Sequence, residues 1–472
     1  MHIAVHLSMI VVIRKDISLM KDTIIRTIDT HADELVSLAE KIWNHPEMGW
    51  KETKAVEWTA EALRSYGFET EVGAYGMPTC IRAVYGSGHP VVGFCAEYDC
   101  LPGLSQQVCS YQNPVVNGGD GHGCGHNLLG VGCLGACLAL KEAMISENIP
   151  GTVIFYGCPA EEQLLGKGLM AKLGAFTECD FTLAWHPATS SHDTLGAHTG
   201  VEGLKVEFHG RTAHAAGAPH MGRSALDALQ LMNIGVEFMR EHVTDDVRMH
   251  YTITDGGLAP NIVPDYAAAR YFIRALSRKA TVDAYERVCR CAEGAAMMTD
   301  TKAVITRLGG LYPTLQNHVI AQAIQEARAE VPLNTYTEEE LKFADEINQK
   351  SPAYVPGKTL PLDYEDQTLL NRNIFGSTDY GDVEYICPGF QVNECTAASL
   401  SAGHSWMMTA SSGHSIGMKG MLRAAKVMAL GTYKMMKDPT LVEAAKEEFR
   451  QSLNGESYVC PIDDSIPWPY ES

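Results

Sequence analysis

Apolar residues recur at helical spacing near the start of the chain. Ile25, Ile28, Leu35, Leu38, Ile42 and Trp43 mark residues 17–44 as an amphipathic helix, stopped by His45-Pro46-Glu47. A second helix is expected over 52–66, closed by Gly67. Strand-like segments follow at 69–73, 80–85 and 91–95, the last continuously apolar and emerging in Ala96-Glu97-Tyr98-Asp99. A long polar loop then runs to Asp120. Residues 128–145 are rich in Ala, Leu and Gly and read as a buried helix. Two more buried strands, 152–157 and 181–185, end in Cys158-Pro159-Ala160-Glu161-Glu162 and in His186-Pro187. Apolar strands alternating with helices predict an α/β fold.

The rhythm changes at Gly200. A strand at 201–209, a helix at 224–242, strands at 247–254 and 265–275, a helix at 281–298 and a strand at 302–308 give the order β-α-β-β-α-β, a ferredoxin-like unit. This predicts a small domain over 200–308 inserted into a larger one built from 1–199 and 309–472. In the second part, charged residues 333–361, with Pro352, Pro356 and Pro361, are expected on the surface. A strand is expected at 383–386 after Gly376-Ser377-Thr378-Asp379, then helices at 416–434 and 440–452, and an irregular tail with Pro461, Pro467 and Pro469.

Composition narrows the function classes. A length of 472 residues suits two domains, and a net charge of -20 argues against nucleic-acid binding, which needs a basic footprint. The 14 cysteines include no Cys-x-x-Cys pair, the pattern of reduced, buried thiols, not of a disulfide framework. The short apolar run at 9–13 lacks the flanks of a signal peptide. No membrane span is expected, and the reading is a soluble, cytoplasmic protein.

Candidate chemistry gathers at Gly121-His122-Gly123-Cys124-Gly125-His126-Asn127. Cys124 and His126 are zinc-type ligands, His122 is a third candidate, and the glycines let the backbone fold tightly around them. Three strands deliver carboxylates or histidine at their C-terminal ends, where open α/β sheets bind ligands. Adjacent residues on a strand face opposite ways, but a loop can turn both Glu161 and Glu162 to one site. One could then hold metal while the other acts as a base on a water at the metal.

Glu97-Tyr98-Asp99, Gly-Cys-Gly-His, Glu161-Glu162, Trp185-His186-Pro187 and the inserted ferredoxin-like unit together resemble the metal-dependent aminoacylase/carboxypeptidase superfamily. Residues 96–107, 121–130, 155–159, 222–228 and Ser377-Thr378-Asp379 are most similar to the subfamily of p-aminobenzoyl-glutamate hydrolase B subunits. The resemblance implies a mixed-sheet metallopeptidase-like catalytic domain with an inserted lid and dimerisation domain. It implies one or two divalent ions, zinc or manganese, held by Cys124, His126, Glu162, His186 and a late histidine, His404 in preference to His414. It makes Glu161 the general base and Asp99 a supporting residue. His214 would stabilise the oxyanion across a dimer interface, and Asn261 and Arg274 would bind substrate. Many superfamily members carry His-x-Asp where this chain has Glu97-Tyr98-Asp99, and an acidic bridging ligand where it has Cys124. The activity implied is cleavage of an acyl–amino acid amide, foremost p-aminobenzoyl-glutamate. Alternatives are a dipeptidase, an N-acyl-amino-acid deacylase, or a regulatory subunit with a vestigial site. The partner is a second copy or a related A subunit.

Overall fold

The computed structural model describes residues 21–360 and 369–464. The apolar run at 9–13, the first residues of the helix expected from 17, Pro361, and Pro467 and Pro469 lie outside them. The chain forms two compact units. One gathers the described residues up to Gly196, those of Leu315–Arg372, and Val383–Tyr458. The other comprises Ala197–Thr314, Asn373–Asp382 and the described residues from Val459 onward.

In chain order the main strands are β1 (Glu69–Val72), β2 (Ile81–Ser87), β3 (Val91–Glu97), β4 (Gly151–Cys158), β5 (Phe181–Ala188), β6 (Gly200–His209), β7 (Arg248–Asp255), β8 (Tyr266–Ala275), β9 (Lys302–Leu311) and β10 (Gly389–Cys395). The first unit holds a six-stranded mixed sheet in the order β1-β2-β4-β3-β5-β10. Its β4, β3, β5 and β10 run parallel, β2 runs antiparallel to β4, and β1 runs antiparallel to β2. The carboxyl ends of β3, β4 and β5 therefore lie along one side, and every residue of β3 and β4 is buried.

The helix His126–Glu147 packs on this sheet between the helices Ala32–Trp43 and Ser415–Lys437. By length and composition it is apolar enough to cross a membrane, contrary to the expectation of no such segment, and 83% of its most apolar window is buried inside the protein. A helix hydrophobic all round needs cover on all sides, and here the sheet and two helices supply it. Gly132 makes that approach feasible. A side chain there would meet the Trp185 indole at 2.6 Å, and the indole N–H donates to the Leu129 carbonyl at 2.8 Å.

The second unit follows the β-α-β-β-α-β order: β6, helix Ala225–Met239, β7, β8, helix Arg278–Thr299 and β9. The sheet order is β9-β6-β8-β7, all antiparallel, which leaves β7 on an edge. Leu204, Val206, Phe208, Tyr271 and Ile273 of the sheet meet Leu229, Met232, Val236 and Val288 of the helices in one core.

One expectation in the second half fails. Residues 383–386 are not a strand: Tyr380–Glu384 is helical, and the sheet strand is β10, a few residues on. The charged stretch 333–361 contains the helix Glu338–Asn348, whose Thr337 and Glu340 form a reciprocal capping box.

Candidate metal centre

β3 ends at Glu97, and Asp99 follows two residues later, both buried. The chain returns at Gly125, whose φ of +82° starts the helix at His126. A Cβ at Gly125 would also lie 2.9 Å from Pro187, so glycine is required there twice over. β4 ends at Cys158, and Ala160, with φ +53°, throws the chain into a short 3₁₀ turn, Glu161–Gln163. That left-handed step brings two adjacent glutamates to the same place.

Cys124 Sγ lies 3.3 Å from His186 Nε2, and Cys124, His126 and His186 offer donor atoms within 4.8 Å of one another. Two further sets meet the same criterion, Cys124 with Glu162 and His404, and Glu97 with His126 and Glu161. His126 Nδ1 is 2.8 Å from Asp99 Oδ1, and His186 Nδ1 is 2.7 Å from the Pro187 carbonyl. Carboxylates and carbonyls only accept, so each Nδ1 carries the proton and each Nε2 keeps its lone pair for a cation. The other Asp99 oxygen accepts from the Glu162 backbone N–H at 2.9 Å, so one carboxylate orients both residues. The Ala160 N–H donates to buried Glu52 at 2.8 Å and fixes the turn from behind.

The donor set fits a divalent metal. His126 Nε2, Glu97 Oε2 and Glu162 Oε1 are buried and make no hydrogen bond, an expensive arrangement unless something else binds them. Burial opposes charge on His126, yet Cys124, Glu97 and Asp99 outweigh it and hold the imidazole well above its ordinary value. Surroundings that favour positive charge on this ring also favour a cation on its Nε2. Burial lowers His186, which stays neutral and able to ligate. It pushes the Cys124 thiol up against the pull of His126, so the thiolate needs a cation nearby. Burial also raises Glu162, against the pull of His126.

His404 and His414 separate clearly. His404 Nε2 stands 3.8 Å from Glu162 Oε2, its backbone at φ +50°. His414 instead caps the helix Ser415–Lys437 by accepting from the Ile416 N–H, and its ring stacks on Phe343 at 3.9 Å. His122 is buried with both ring nitrogens unpaired, its pKa lowered to about 3 by burial and by His126. None of the three donor groups includes it.

His214, Asn261 and Arg274 belong to the second unit. His214 is exposed and accepts from the Gly217 N–H at 2.9 Å, and the Asn261 carbonyl accepts from Ala215 at 3.0 Å. Arg274, half-buried on β8, donates to Ser377 at 2.6 Å. Sequence reasoning gave no role to Glu97, Lys167 or Glu52 individually, and offered His122 as a third candidate ligand, which no donor group includes. The available signal was a lone lysine inside the buried segment Gly166-Lys167-Gly168, five residues after the paired glutamates.

Residues 196–291 match the model of the M20 peptidase dimerisation domain. Over 468 residues the chain is 35% identical to the B subunit of p-aminobenzoyl-glutamate hydrolase from Escherichia coli (strain K12), covering 93% of this chain and 96% of that one. The chain belongs to the M20 peptidase family. M20 membership makes it an enzyme, an amidohydrolase of the metallopeptidase kind. It is also 27% identical to a Xaa-Arg dipeptidase of Mus musculus over 93% of this chain and 94% of that one. The M20 fold recurs in a solved dinuclear metal-binding peptidase of Bacillus subtilis, at a TM-score of 0.62 and 17% identity, covering 87% and 99% of the two chains.

Proposed function

We propose that the enzyme hydrolyses the amide of p-aminobenzoyl-glutamate to p-aminobenzoate and glutamate, with Cys124, His126, His186, Glu162 and His404 holding zinc or manganese. One observation carries the site: at the carboxyl ends of three parallel strands, buried Nε2 and carboxylate lone pairs without hydrogen bonds face one another beside Glu161. The substrate comes from the Escherichia coli relative, which is matched along nearly its whole length.

When bound, the metal polarises the scissile carbonyl and acidifies water. The remaining work falls to side chains. Glu161 takes a proton from the attacking water and passes it to the leaving nitrogen as the C–N bond breaks. Asp99 keeps His126 in its Nδ1–H tautomer and holds the Glu162 backbone. His214, reaching a partner's site, stabilises the developing oxyanion. Asn261 binds the substrate carbonyl, and the Arg274 fork takes the terminal carboxylate of glutamate.

A dipeptidase is the second reading, supported by the Xaa-Arg relative. A C-terminal arginine would need an acidic partner where glutamate needs a cation, so a panel of acyl-glutamates and Xaa-Arg dipeptides separates the two. The deciding assay uses the purified chain, chelated and then given zinc or manganese. Metal-dependent release of glutamate supports the proposal; release of arginine only, or of neither when a related A subunit is also supplied, rejects it. Our reading includes a cytoplasmic location, consistent with 14 cysteines in the thiol form, and an oligomer formed through the dimerisation domain. The partner is either a second copy or a related A subunit, and the mass of the purified chain in solution distinguishes them.

A further inference from the structure

Glu97 and Lys167 form an ion pair at the wall of the metal centre. Lys167 Nζ donates to Glu97 Oε1 at 2.5 Å, with the lysine side chain 0% and the glutamate 1% exposed. Stability alone explains such a pair poorly, because removing two charges from water costs about as much as their attraction returns, and apolar replacements are often as good. A purely structural pair would also satisfy both carboxylate oxygens. Here Oε2 makes no hydrogen bond and lies 3.2 Å from His126 Nε2, itself without one. Two donors about 2.0–2.1 Å from one ion, at tetrahedral angles, sit roughly 3.3–3.4 Å apart. The Oε2–Nε2 separation of 3.2 Å is close to that of two ligands sharing an ion.

We propose that Glu97 is a further ligand of the divalent ion on His126, and that Lys167, by occupying the other carboxylate oxygen, holds Glu97 to that ion through a single oxygen. The inference rests on the metal-centre reading above. Charge supports it. Cys124 as thiolate, Glu97, Asp99, Glu161 and Glu162 are five anions around the site, and Lys167 offsets one. The four that remain match two divalent ions. Lys167 acts as a positioning residue: a carboxylate tied at one oxygen presents the other in a fixed direction, whereas an untied one could rotate or chelate through both.

The test measures metal binding to the chelated full-length chain by zinc titration calorimetry and by the absorption of the cobalt-substituted protein. It needs no turnover. The expected result is that Glu97→Gln weakens one ion at least 100-fold, changes the cobalt spectrum and leaves the other ion within about threefold. Lys167→Met should weaken the same ion roughly 10–100-fold, the usual cost of losing a residue that orients a ligand. Either single variant disturbs a buried ion pair and could unfold, so the double variant Glu97→Gln/Lys167→Met is decisive. It should melt near the wild-type temperature and still bind that ion as weakly as Glu97→Gln. Wild-type affinity for both ions in Glu97→Gln or in the double variant overturns the proposal and leaves the pair structural. A wild-type chain that takes up no metal overturns the metal-centre reading itself.

Discussion

Glu161 and Glu162 share one 3₁₀ turn and differ in what faces them, so their amide variants should fail differently. Glu161→Gln removes the proposed proton acceptor and should lower kcat by about 10²–10⁴, with metal content unchanged by elemental analysis. Glu162→Gln should lose metal as well as activity; the reverse pattern would mean the two roles are exchanged. Two buried carboxylates, Glu52 and Glu384, make stability depend on pH, each with its pKa raised to about 8. Glu384 accepts from the Leu315 N–H at 2.8 Å, and burial raises its pKa to about 8. Because the folded value lies above the unfolded one, folding retains a proton that the unfolded chain releases. Its stabilising effect is complete below the ordinary glutamate range and is lost as pH rises toward 8. Urea unfolding should therefore show stability falling across this window, by at most about 1.4 kcal/mol per pH unit from this group, and Glu384→Gln should flatten the slope.

Among the elements, the helix His126–Glu147 and β5 depend on each other through Gly132 and Trp185. Gly132→Ala should destabilise the protein by about 1–3 kcal/mol by overpacking. It should also weaken metal binding, because displacing Trp185 moves its neighbour His186; thermal melting and zinc titration check both effects. This part of the fold was legible in the sequence because buried parallel strands read as continuous apolar runs. β10 was not. Phe390 and Val392 alternate with Gln391, Asn393 and Glu394, a polar pattern that hides a mostly buried strand. Glu394 is tolerated there only because Arg328 and Arg423 reach it at 2.8 and 2.7 Å from distant helices. The helix Glu338–Asn348 was hidden by its charge, with Glu338, Glu339 and Glu340 in its first turn, where a helix start favours acids. In the site, Cys124 and His126 were legible from spacing. The pairing of Glu97 with Lys167 joins residues 70 apart and leaves no local pattern.

For the whole molecule, association through the second unit should depend on its edge. β7 exposes Tyr251 and Ile253, and the neighbouring helix exposes Ile234 and Phe238, the last 76% accessible. Charges at two of these positions, Phe238→Asp with Ile253→Lys, should shift the mass seen by light scattering to the monomer and leave metal content intact; an unchanged mass would place the interface elsewhere. The chain's route through its two units also sets an order of birth. The second unit closes its sheet with β9, ending at Leu311, whereas β5 waits for β10 at 389–395, about two hundred residues downstream. Closing so long a loop is entropically costly and slow. On the ribosome, which adds about 5–20 residues per second, the sheet of the inserted unit can close while the first unit still presents the bare edge of β5. His404 emerges later still. A nascent chain therefore carries Cys124 and His126 for many seconds before His404, the proposed late ligand, can join them.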